Sequence, residues 1–429
     1  MENINFGKNP LMKVFKFGGA SVINAEGIKN LGKIITGFDY PMIVVVSALG
    51  KTTNKLEAVV NSRYEKKGDP LLMLKDIFDH HLQVIEDLGV NDKVLVSFMD
   101  SSFNRLNEYL TTNEAVDYDR EYDQVVSAGE LWSSRIIASW LEHEKHNCRW
   151  IDIRQVLLTD TRFRDANILW GKSLPLVKNV FTDSGIDIFL TQGFIAGTGD
   201  GLTATLGREG SDYTAAVLAN MTDASEVQVW KDVPGVLNAD PKWLEDAQVL
   251  KSLSYKEAVE MSFSGAKIIH PKTIKPLHNK GIPLIVRSFM DRGAPGTLIM
   301  GEEAEKTTLP VFIRKEDQIL ISVLSRDFSF AIGDNLTNIF RLFYDYGVKV
   351  NLVQASAVSV AVCADDDGRK IRRLISQLES QYRVIYNSRV EMLTIRQYTP
   401  EAISRVCRGR EILLEQKTRL AVRLVVKMH

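Results

Sequence analysis

The sequence predicts an α/β domain, with a mostly parallel sheet sandwiched by helices, followed by smaller ferredoxin-like α+β units. The first prediction rests on strand and helix patterns that alternate over the first 300 of the 429 residues. The second rests on a change near Gly301, after which the patterns follow the order strand, helix, strand, strand, helix, strand. A content of 45% apolar and 25% charged residues is typical of an ordinary globular protein.

The first domain begins with two short β-rich runs, 13–17 and 43–46, on either side of apolar residues at helical spacing. Two long helical patterns follow, at 71–111 and 120–146. Further strands are predicted at 186–190, 226–230 and 283–286, with helices at 212–219 and 255–263. Because ligands of parallel sheets bind beyond the carboxyl ends of the strands, polar clusters that follow strands are the candidate site.

The remaining boundaries follow from composition and periodicity. Residues 1–300 form the catalytic candidate, and the charged segment 301–317 is predicted to be a linker. A ferredoxin-like unit is expected at 318–388. A second unit, 389–429, is too short for a complete copy; it is predicted to contain a strand at 391–396, a helix at 400–416 and a strand at 419–427.

Charge and composition exclude several classes of protein. A net charge of −1 gives no reason to expect a nucleic-acid or anionic-lipid partner. The longest apolar run, 42–46, is too short to cross a bilayer, and the polar start of the chain lacks the core of a signal peptide. The three cysteines are far apart and lack metal-ligand spacing, so no metal site is expected. We therefore expect free thiols, a cytoplasmic location and no membrane contact.

The first polar cluster is Lys16-Phe17-Gly18-Gly19-Ala20-Ser21, between a strand and a helix. Two glycines let the backbone approach an anion, and a helix start favours phosphate. A lysine at the strand end can neutralise a phosphoryl group. The cluster matches neither the P-loop nor the dinucleotide-binding pattern, and a purely structural turn is the alternative.

Four further clusters lie along the rest of this domain. The segment 47–54 offers small hydroxyl and amide side chains, although a turn with a helix cap would have the same composition. The segment 207–213 combines glycines with Arg208, whose planar guanidinium matches a carboxylate, and with Asp212, which could orient Lys16 or a metal. The segments 230–242 and 264–271 are compatible with a nucleotide rim or with structural turns.

In their order and spacing, the five clusters resemble the aspartate kinases of the amino-acid kinase family, over 13–427. The most specific are Lys-Phe-Gly-Gly, Gly-Arg-x-Gly-Ser-Asp and Lys-Asp-Val-Pro-Gly-Val. The chain departs from the usual residues at several positions. Ala20 and Lys231 stand where the family usually has threonine, and Glu209 stands where it usually has glycine. Leu237 replaces a usual aromatic residue, and Lys242 replaces a usual arginine.

The resemblance implies phosphoryl transfer from ATP to the side-chain carboxylate of L-aspartate, the first step toward lysine, threonine and methionine. A carboxylate nucleophile is already ionised, so no general base is needed. The resemblance assigns catalysis to Lys16 and Asp212. It assigns aspartate binding to Ser47, Thr53, Glu130, Arg208 and Ser211. It assigns ATP binding to Lys16, Gly18, Gly19, Ser21, Lys231, Asp232, Leu237, Lys242 and Lys267.

The resemblance also implies partners. Mg²⁺ would arrive with ATP, held mostly by phosphate oxygens and water. The C-terminal units are similar to the paired ACT domains that bind an amino-acid effector in this family, and a homodimer or higher oligomer is expected. An effector would lie near 328–335 and 354–357, where Ala357 replaces the usual glutamate. We therefore expect weak or altered feedback by lysine.

Two other functions remain open from the sequence. A kinase for another acidic amino acid, such as glutamate, could share the fold but would lack the ACT units. A non-catalytic amino-acid sensor could also share the fold, since fold alone does not fix function. Retention of Lys16, Glu130, Arg208, Asp212 and Asp232 argues against a sensor. The length of the chain leads us to expect no fused homoserine dehydrogenase.

Overall fold

The computed structural model describes residues 12–112, 117–301, 307–326 and 334–428. These residues divide into two compact units. The first unit contains the described residues of 12–236, 249–259 and 269–301. The second contains 237–248, 260–268 and the described residues from 307 onward.

The elements up to residue 301 are, in chain order, β1 (Lys13–Phe17), α1 (Ala25–Ile35), β2 (Met42–Val46), α2 (Thr52–Glu65), α3 (Pro70–Leu88), α4 (Lys93–Thr112), α5 (Tyr118–His143), β3 (Cys148–Ile151), β4 (Leu158–Thr159), α6 (Trp170–Phe181), β5 (Ile188–Gln192), β6 (Ile195–Thr198), β7 (Thr203–Thr205), α7 (Gly210–Thr222), β8 (Glu226–Lys231), β9 (Ser252–Ser254), α8 (Tyr255–Ser264), α9 (Pro271–His278), β10 (Leu284–Ser288) and β11 (Thr297–Met300). The later elements are β12 (Val311–Leu324), α10 (Asp334–Asp345), β13 (Val350–Ala355), β14 (Ser359–Asp365), α11 (Gly368–Gln381), β15 (Arg383–Arg396), α12 (Pro400–Cys407), β16 (Arg410–Lys417) and β17 (Ala421–Met428).

The first unit is built on a sheet that, within the described residues, has eight strands in the order β3-β5-β2-β1-β8-β10-β11-β9. Its neighbouring strands are parallel except at the β10–β11 pair. Strand β2, with the sequence MIVVV, is buried at every residue. Such an unbroken apolar run is what a parallel strand covered by helices on both faces requires. The predicted α/β fold is therefore confirmed.

Helix α7 packs behind the centre of this sheet and is buried along nearly its whole length. Small residues, among them Ala215, Ala216 and Ala219, allow it to approach the strands closely. Its first turn, Gly210 to Asp212, lies at the carboxyl ends of the central strands. The backbone N–H groups of a helix start favour anions, so the fold brings an anion-binding helix end to the predicted site.

The second unit is built on an antiparallel sheet that, in the described part of the chain, has six strands in the order β13-β14-β12-β15-β17-β16. Strands β12 and β15 have 14 residues each and pair with each other along most of their length. The second half of β12 pairs with β14, while its first half, Val311 to Lys315, pairs only with the end of β15. The ferredoxin-like unit is therefore inserted between the first strand of the shorter unit and the rest of it.

Two expectations about the C-terminal region need correction. The predicted linker 301–317 contains the start of β12, because residues from Val311 are paired with β15. The predicted helix 400–416 ends at Cys407, and β16 follows. Gly409, with a φ of +72°, turns the chain there, and the apolar run after it pairs with β17. The shorter unit thus has a strand that periodicity assigned to a helix.

The predicted domain 1–300 is also interrupted, since 237–248 and 260–268 belong to the second unit. Asn238 explains the first excursion: its carbonyl accepts a hydrogen bond from the N–H of Phe312 at 2.7 Å, and its side chain donates to the carbonyl of Pro310 at 3.0 Å. Apolar residues of 237–248, including Ala239 and Trp243, belong to the same hydrophobic cluster as Ala402 and Val406 of α12.

Two further points concern the sequence predictions. Residues 328–333 of the expected effector region lie outside the described residues, whereas Gln354 to Ala357 are exposed and span the end of β13 and the start of the turn to β14. No helix among the described residues is long and apolar enough to cross a membrane.

His81 is a buried titratable group in the core of the first unit. Its side chain lies on α3 against the Trp132 ring, with 5.2 Å between ring centroids, and its Nδ1 donates to the Ile77 carbonyl at 2.7 Å. Burial lowers the pKa of the imidazole to about 4. The unfolded chain binds this proton below its ordinary pKa of 6.5, but the folded chain does not until about 4. Stability is therefore lost as the pH falls through this window.

We expect the His81→Leu variant to lose less stability on acidification than the wild type. From about pH 7.5 to about pH 5, the difference between the two proteins should be about 2 kcal/mol in the free energy of unfolding. Urea unfolding followed by tryptophan fluorescence measures it. The exposed His143 supplies the matched control, His143→Leu. Equal pH dependence in wild type and His81→Leu would contradict the assignment.

Candidate active site

A cavity of about 440 Å³ opens at the carboxyl ends of β1, β2 and β8, within the first unit. Its volume lies in the range of small-molecule sites. It is lined by Lys16, Gly19, Ser47, Thr53, Glu130, Arg208, Ser211, Asp212 and Lys231, all of them sequence-predicted site residues. The chain thus brings residues from distant parts of the sequence to one side of the sheet.

The centre of the cavity wall is the carboxylate of Asp212, whose side chain is only 3% exposed. The Lys16 ammonium lies 2.7 Å from its Oδ1, and the Lys231 ammonium lies 3.3 Å from its Oδ2. Burial alone would raise the pKa of this carboxyl, but Lys16 and Lys231 together lower it to about 2. Asp212 is therefore a permanent anion that holds two cations at the cavity.

The turn after β1 brings its backbone close to the next strand end. A Cβ on Gly19 would lie 2.6 Å from the carbonyl oxygen of Ala48 and 2.7 Å from that of Gly50, so only glycine fits there. A Cβ on Gly18 would lie 3.6 Å from the Lys16 ammonium. The two glycines keep the space beside Lys16 open, as an anion-binding turn requires.

Glu130 stands on α5 and is 2% exposed. Gly129 permits this position, because a Cβ there would lie 2.8 Å from the Thr52 side chain. Burial raises the pKa of the Glu130 carboxyl to about 8, although Lys16 and a backbone hydrogen bond from Ala48 oppose the shift. Its Oε2 has no hydrogen-bond partner among the described residues. A buried carboxyl of this kind can ionise when a cationic group lies beside it.

The hydroxyl groups of Ser47 and Ser211 connect β2 to the start of α7. Ser47 Oγ donates to Ser211 Oγ at 3.0 Å, and Ser133 on α5 donates to the Ser47 carbonyl at 2.7 Å. Arg208 is exposed at the cavity, one residue before Glu209. These groups offer hydroxyl donors and a guanidinium to a carboxylate ligand.

Glu209 occupies the position where the resemblance expects glycine. Its φ is +54°, in the left-handed region that glycine adopts without strain. Its carboxylate accepts a hydrogen bond from the N–H of His270 at 2.8 Å. The side chain that glycine lacks therefore ties the Arg208 loop to the start of α9.

Four further cavity residues escaped the sequence reasoning: Tyr122, Arg164, Phe194 and Thr205. The Arg164 guanidinium lies 4.5 Å from the centroid of the Tyr122 ring, a cation–π contact. Asp123, fully buried beneath them, accepts hydrogen bonds from the N–H groups of Arg164 and Thr205. The sequence signal for these residues was weak, since it consisted of Asp123, an acidic residue on the helix that also carries Glu130.

Some predicted residues lie elsewhere. Ser21 is buried, its N–H donates to the Gly18 carbonyl, and its hydroxyl donates to the Trp230 carbonyl at 3.5 Å. Ser21 therefore closes the turn in this structure, and its assignment to ATP binding stays a prediction. Asp232 is exposed and does not line the cavity. Three predicted ATP-binding residues belong to the second unit, and their roles stay predictions: Leu237, Lys242 and Lys267.

The site offers cations to an anionic ligand more readily than it offers ligands to a metal. Within the described residues, no group of three or more His, Cys, Asp or Glu could hold a metal ion. Asp212 faces two lysines, so a third cation on the same carboxylate would be repelled. The cavity thus presents lysine and arginine cations, hydroxyl groups and one buried carboxyl to a small ligand.

Comparison with known sequences supports this chemistry. The sequence profile described as the amino acid kinase family matches residues 12–288. Aspartokinase 3, chloroplastic, of Arabidopsis thaliana is 31% identical over 382 residues, which cover 87% of this chain and 68% of that protein. Bifunctional aspartokinase/homoserine dehydrogenase 1 of the same plant is 29% identical over 395 residues. The match covers 89% of this chain but 43% of that protein, so the chain spans less than half of this bifunctional relative.

Solved structures extend the likeness to the whole fold. E. coli aspartokinase III is 26% identical both in its T-state complex with lysine and aspartate and in its R-state complex with aspartate and ADP. The TM-scores are 0.78 and 0.79, and the matches cover 96% and 97% of this chain and 95% and 96% of the solved chains. The chain therefore belongs to the amino acid kinase family, within its aspartokinases.

Proposed function

We propose that this protein transfers the γ-phosphoryl group of ATP to the side-chain carboxylate of L-aspartate, giving 4-phospho-L-aspartate and ADP. The observation that carries the proposal is the shared cavity of Glu130, Arg208 and the Lys16–Asp212 pair. An amino acid with a second carboxylate needs an anion beside its ammonium group and a cation beside one carboxylate. Its other carboxylate must be able to reach the phosphoryl group. The likeness to a structure with bound aspartate and ADP supports the same substrates.

The residues have separate tasks in this proposal. Glu130 binds the α-ammonium group, and Arg208 binds a carboxylate of aspartate with help from Ser47, Thr53 and Ser211. Lys16 neutralises the transferring phosphoryl group, while Gly18 and Gly19 leave the turn open to phosphate. The reaction then depends on positioning and positive charge, because an ionised carboxylate attacks without a base.

ATP and Mg²⁺ belong to the same proposal. Both Asp212 oxygens face lysines, so Mg²⁺ would be held mainly by the phosphate oxygens of ATP and by water. The bound ion would neutralise phosphate charge. Lys231, Asp232, Leu237, Lys242 and Lys267 stay the proposed ATP-side residues.

A coupled assay of ADP formation tests the proposal directly, with L-aspartate, L-glutamate or no acceptor. We expect ADP formation only with aspartate, and a kcat for Lys16→Met that is lower by about a hundredfold or more, because a transition-state charge contact is lost. Lys13→Met is the matched control, since Lys13 lies at the opposite end of β1. Activity with glutamate alone would indicate a kinase for another acidic amino acid. Substrate binding without ADP formation would indicate a sensor.

Glu130 gives the proposal a pH signature. At about pH 7 most of the empty enzyme carries a protonated Glu130, because the pKa of this carboxyl is about 8. A bound ammonium group favours the ionised form, so aspartate binding should release close to one proton. The apparent affinity for aspartate should rise as the pH approaches 8 and level off above it. Calorimetry in two buffers with different heats of ionisation measures the released proton.

Two variants control this experiment. Glu130→Gln should bind aspartate weakly and release no proton. Arg208→Ala should also bind weakly, by several kcal/mol in order of magnitude, but keep the proton release. Tight binding of aspartate by wild-type enzyme without proton release would assign the ammonium group to a different residue.

We also propose that an amino-acid effector binds at the ferredoxin-like unit, at a junction with a second copy of the chain. Ala357 offers no carboxylate to the ε-ammonium of lysine, so inhibition by lysine should be weak. An effector acts only through a difference in affinity between two states, and loss of an ion pair reduces it. Titration of lysine, threonine and methionine, singly and in pairs, measures the response. Inhibition by micromolar lysine alone would contradict the proposal.

A further inference from the structure

Lys231 is the last residue of strand β8, and the strand register fixes the direction of its side chain. Strands β1 and β8 are parallel, with Phe17 opposite Trp230. The two rings are stacked with 6.0 Å between centroids, so both side chains lie on the same face of the sheet. Because side chains alternate along a strand, Lys16 and Lys231 both project from the other face.

Helix α7 covers that other face and presents Asp212 to both lysines. The two ammonium groups approach different oxygens of the carboxylate, at 2.7 Å for Lys16 and 3.3 Å for Lys231. The Lys231 side chain is 23% exposed, against 10% for Lys16, and both line the cavity. Two cations at the cavity wall thus share one buried anion.

We propose that Lys231 is a second phosphate-facing cation, which acts with Lys16 on the phosphoryl group during transfer. The inference rests on the proposed function and deepens it at one residue. It assigns Lys231 to the transition state, whereas the position alone assigns it to binding of the nucleotide. A threonine at this position would place no positive charge beside Asp212.

The chemistry of the transfer gives two cations separate places to act. An oxygen of the aspartate side-chain carboxylate forms a bond to the γ-phosphorus of ATP. The bond from that phosphorus to the oxygen bridging it to the β-phosphate breaks, and its electron pair stays on ADP. No proton moves. Negative charge is spread over the transferring phosphoryl oxygens and the leaving oxygen, so a second cation lowers the barrier.

Two other roles for Lys231 give different results. A residue that only binds ATP in the ground state would change the KM for ATP and the Kd for ADP but not kcat. A residue that only balances the charge of Asp212 would change thermal stability but neither kinetic constant. The split between kcat and binding therefore separates the three roles.

The experiment compares Lys231→Met, Lys231→Thr and Lys231→Arg with the wild type and with Lys13→Met. We expect kcat to fall about tenfold to a hundredfold in the methionine and threonine variants, because each removes one charge contact. Arginine keeps the charge and should restore kcat to within about fivefold. The Kd for ADP, from calorimetry, and the KM for aspartate should change less than about threefold in all variants. Lys13→Met should behave as the wild type.

A kcat in Lys231→Met equal to that of the wild type would overturn the inference, whether or not the melting temperature falls. So would a loss confined to the KM for ATP and the Kd for ADP. An equal loss of kcat in Lys231→Arg and Lys231→Met would also overturn it, because charge would not be what matters. Absence of aspartate-dependent ADP formation by the wild type would instead contradict the proposed function itself.

Discussion

Asp212 keeps its negative charge inside the first unit, and the arrangement of the cavity depends on that charge. A carboxylate this buried is costly unless cations stand beside it, and removal of one partner leaves the other charge unpaired. Helix α7 supplies part of the compensation, since its N–H groups point toward its own first turn. Lys16 and Lys231 supply the rest. Each lysine is thereby held in one place before any ligand arrives.

Glu130 is as buried as Asp212, but the pKa of its carboxyl is shifted in the opposite direction. No ammonium group of the described chain forms an ion pair with it, and its carboxyl has a pKa of about 8, against about 2 for Asp212. The same residue chemistry thus gives one permanent anion and one acid that ionises when a cation arrives. Environments that shift the pKa values of two carboxyl groups in opposite directions are typical of catalytic and ligand-binding sites. Asp212 holds the two lysines in place, and Glu130 is the group to which the proposed function assigns the ammonium of the ligand.

Strand burial and glycine spacing made much of this site predictable. Strand β2 is recognisable because both of its faces are buried, so its run is apolar throughout. Strands β1 and β8 are also largely buried but mix apolar with polar residues, and polar clusters follow the carboxyl ends of all three strands. Arg164 could not be found in this way. Its place depends on Asp123, which holds its backbone from 41 residues away. A contact of that kind leaves no periodic trace in the sequence.

The C-terminal region shows a different reason for failure. The run after Gly409 contains Ile412, Leu413 and Leu414, which fit a helix as well as a strand until the partner strand β17 is known. Likewise, nothing local marks 237–248 as part of the second unit, because the hydrogen bonds of Asn238 reach more than 70 residues along the chain. Tertiary pairing decides both cases.

The order of segments along the chain connects the cavity to the second unit by covalent bonds. The chain leaves the first unit after Val236, five residues beyond Lys231, and leaves it again after Val259. It returns from the second excursion at Ile269, and the next residue, His270, donates its N–H to Glu209 beside Arg208. The two excursions thus adjoin Lys231 and the loop that carries Arg208. The backbone therefore joins these two regions of the first unit directly to the second unit, without an intervening relay of side chains.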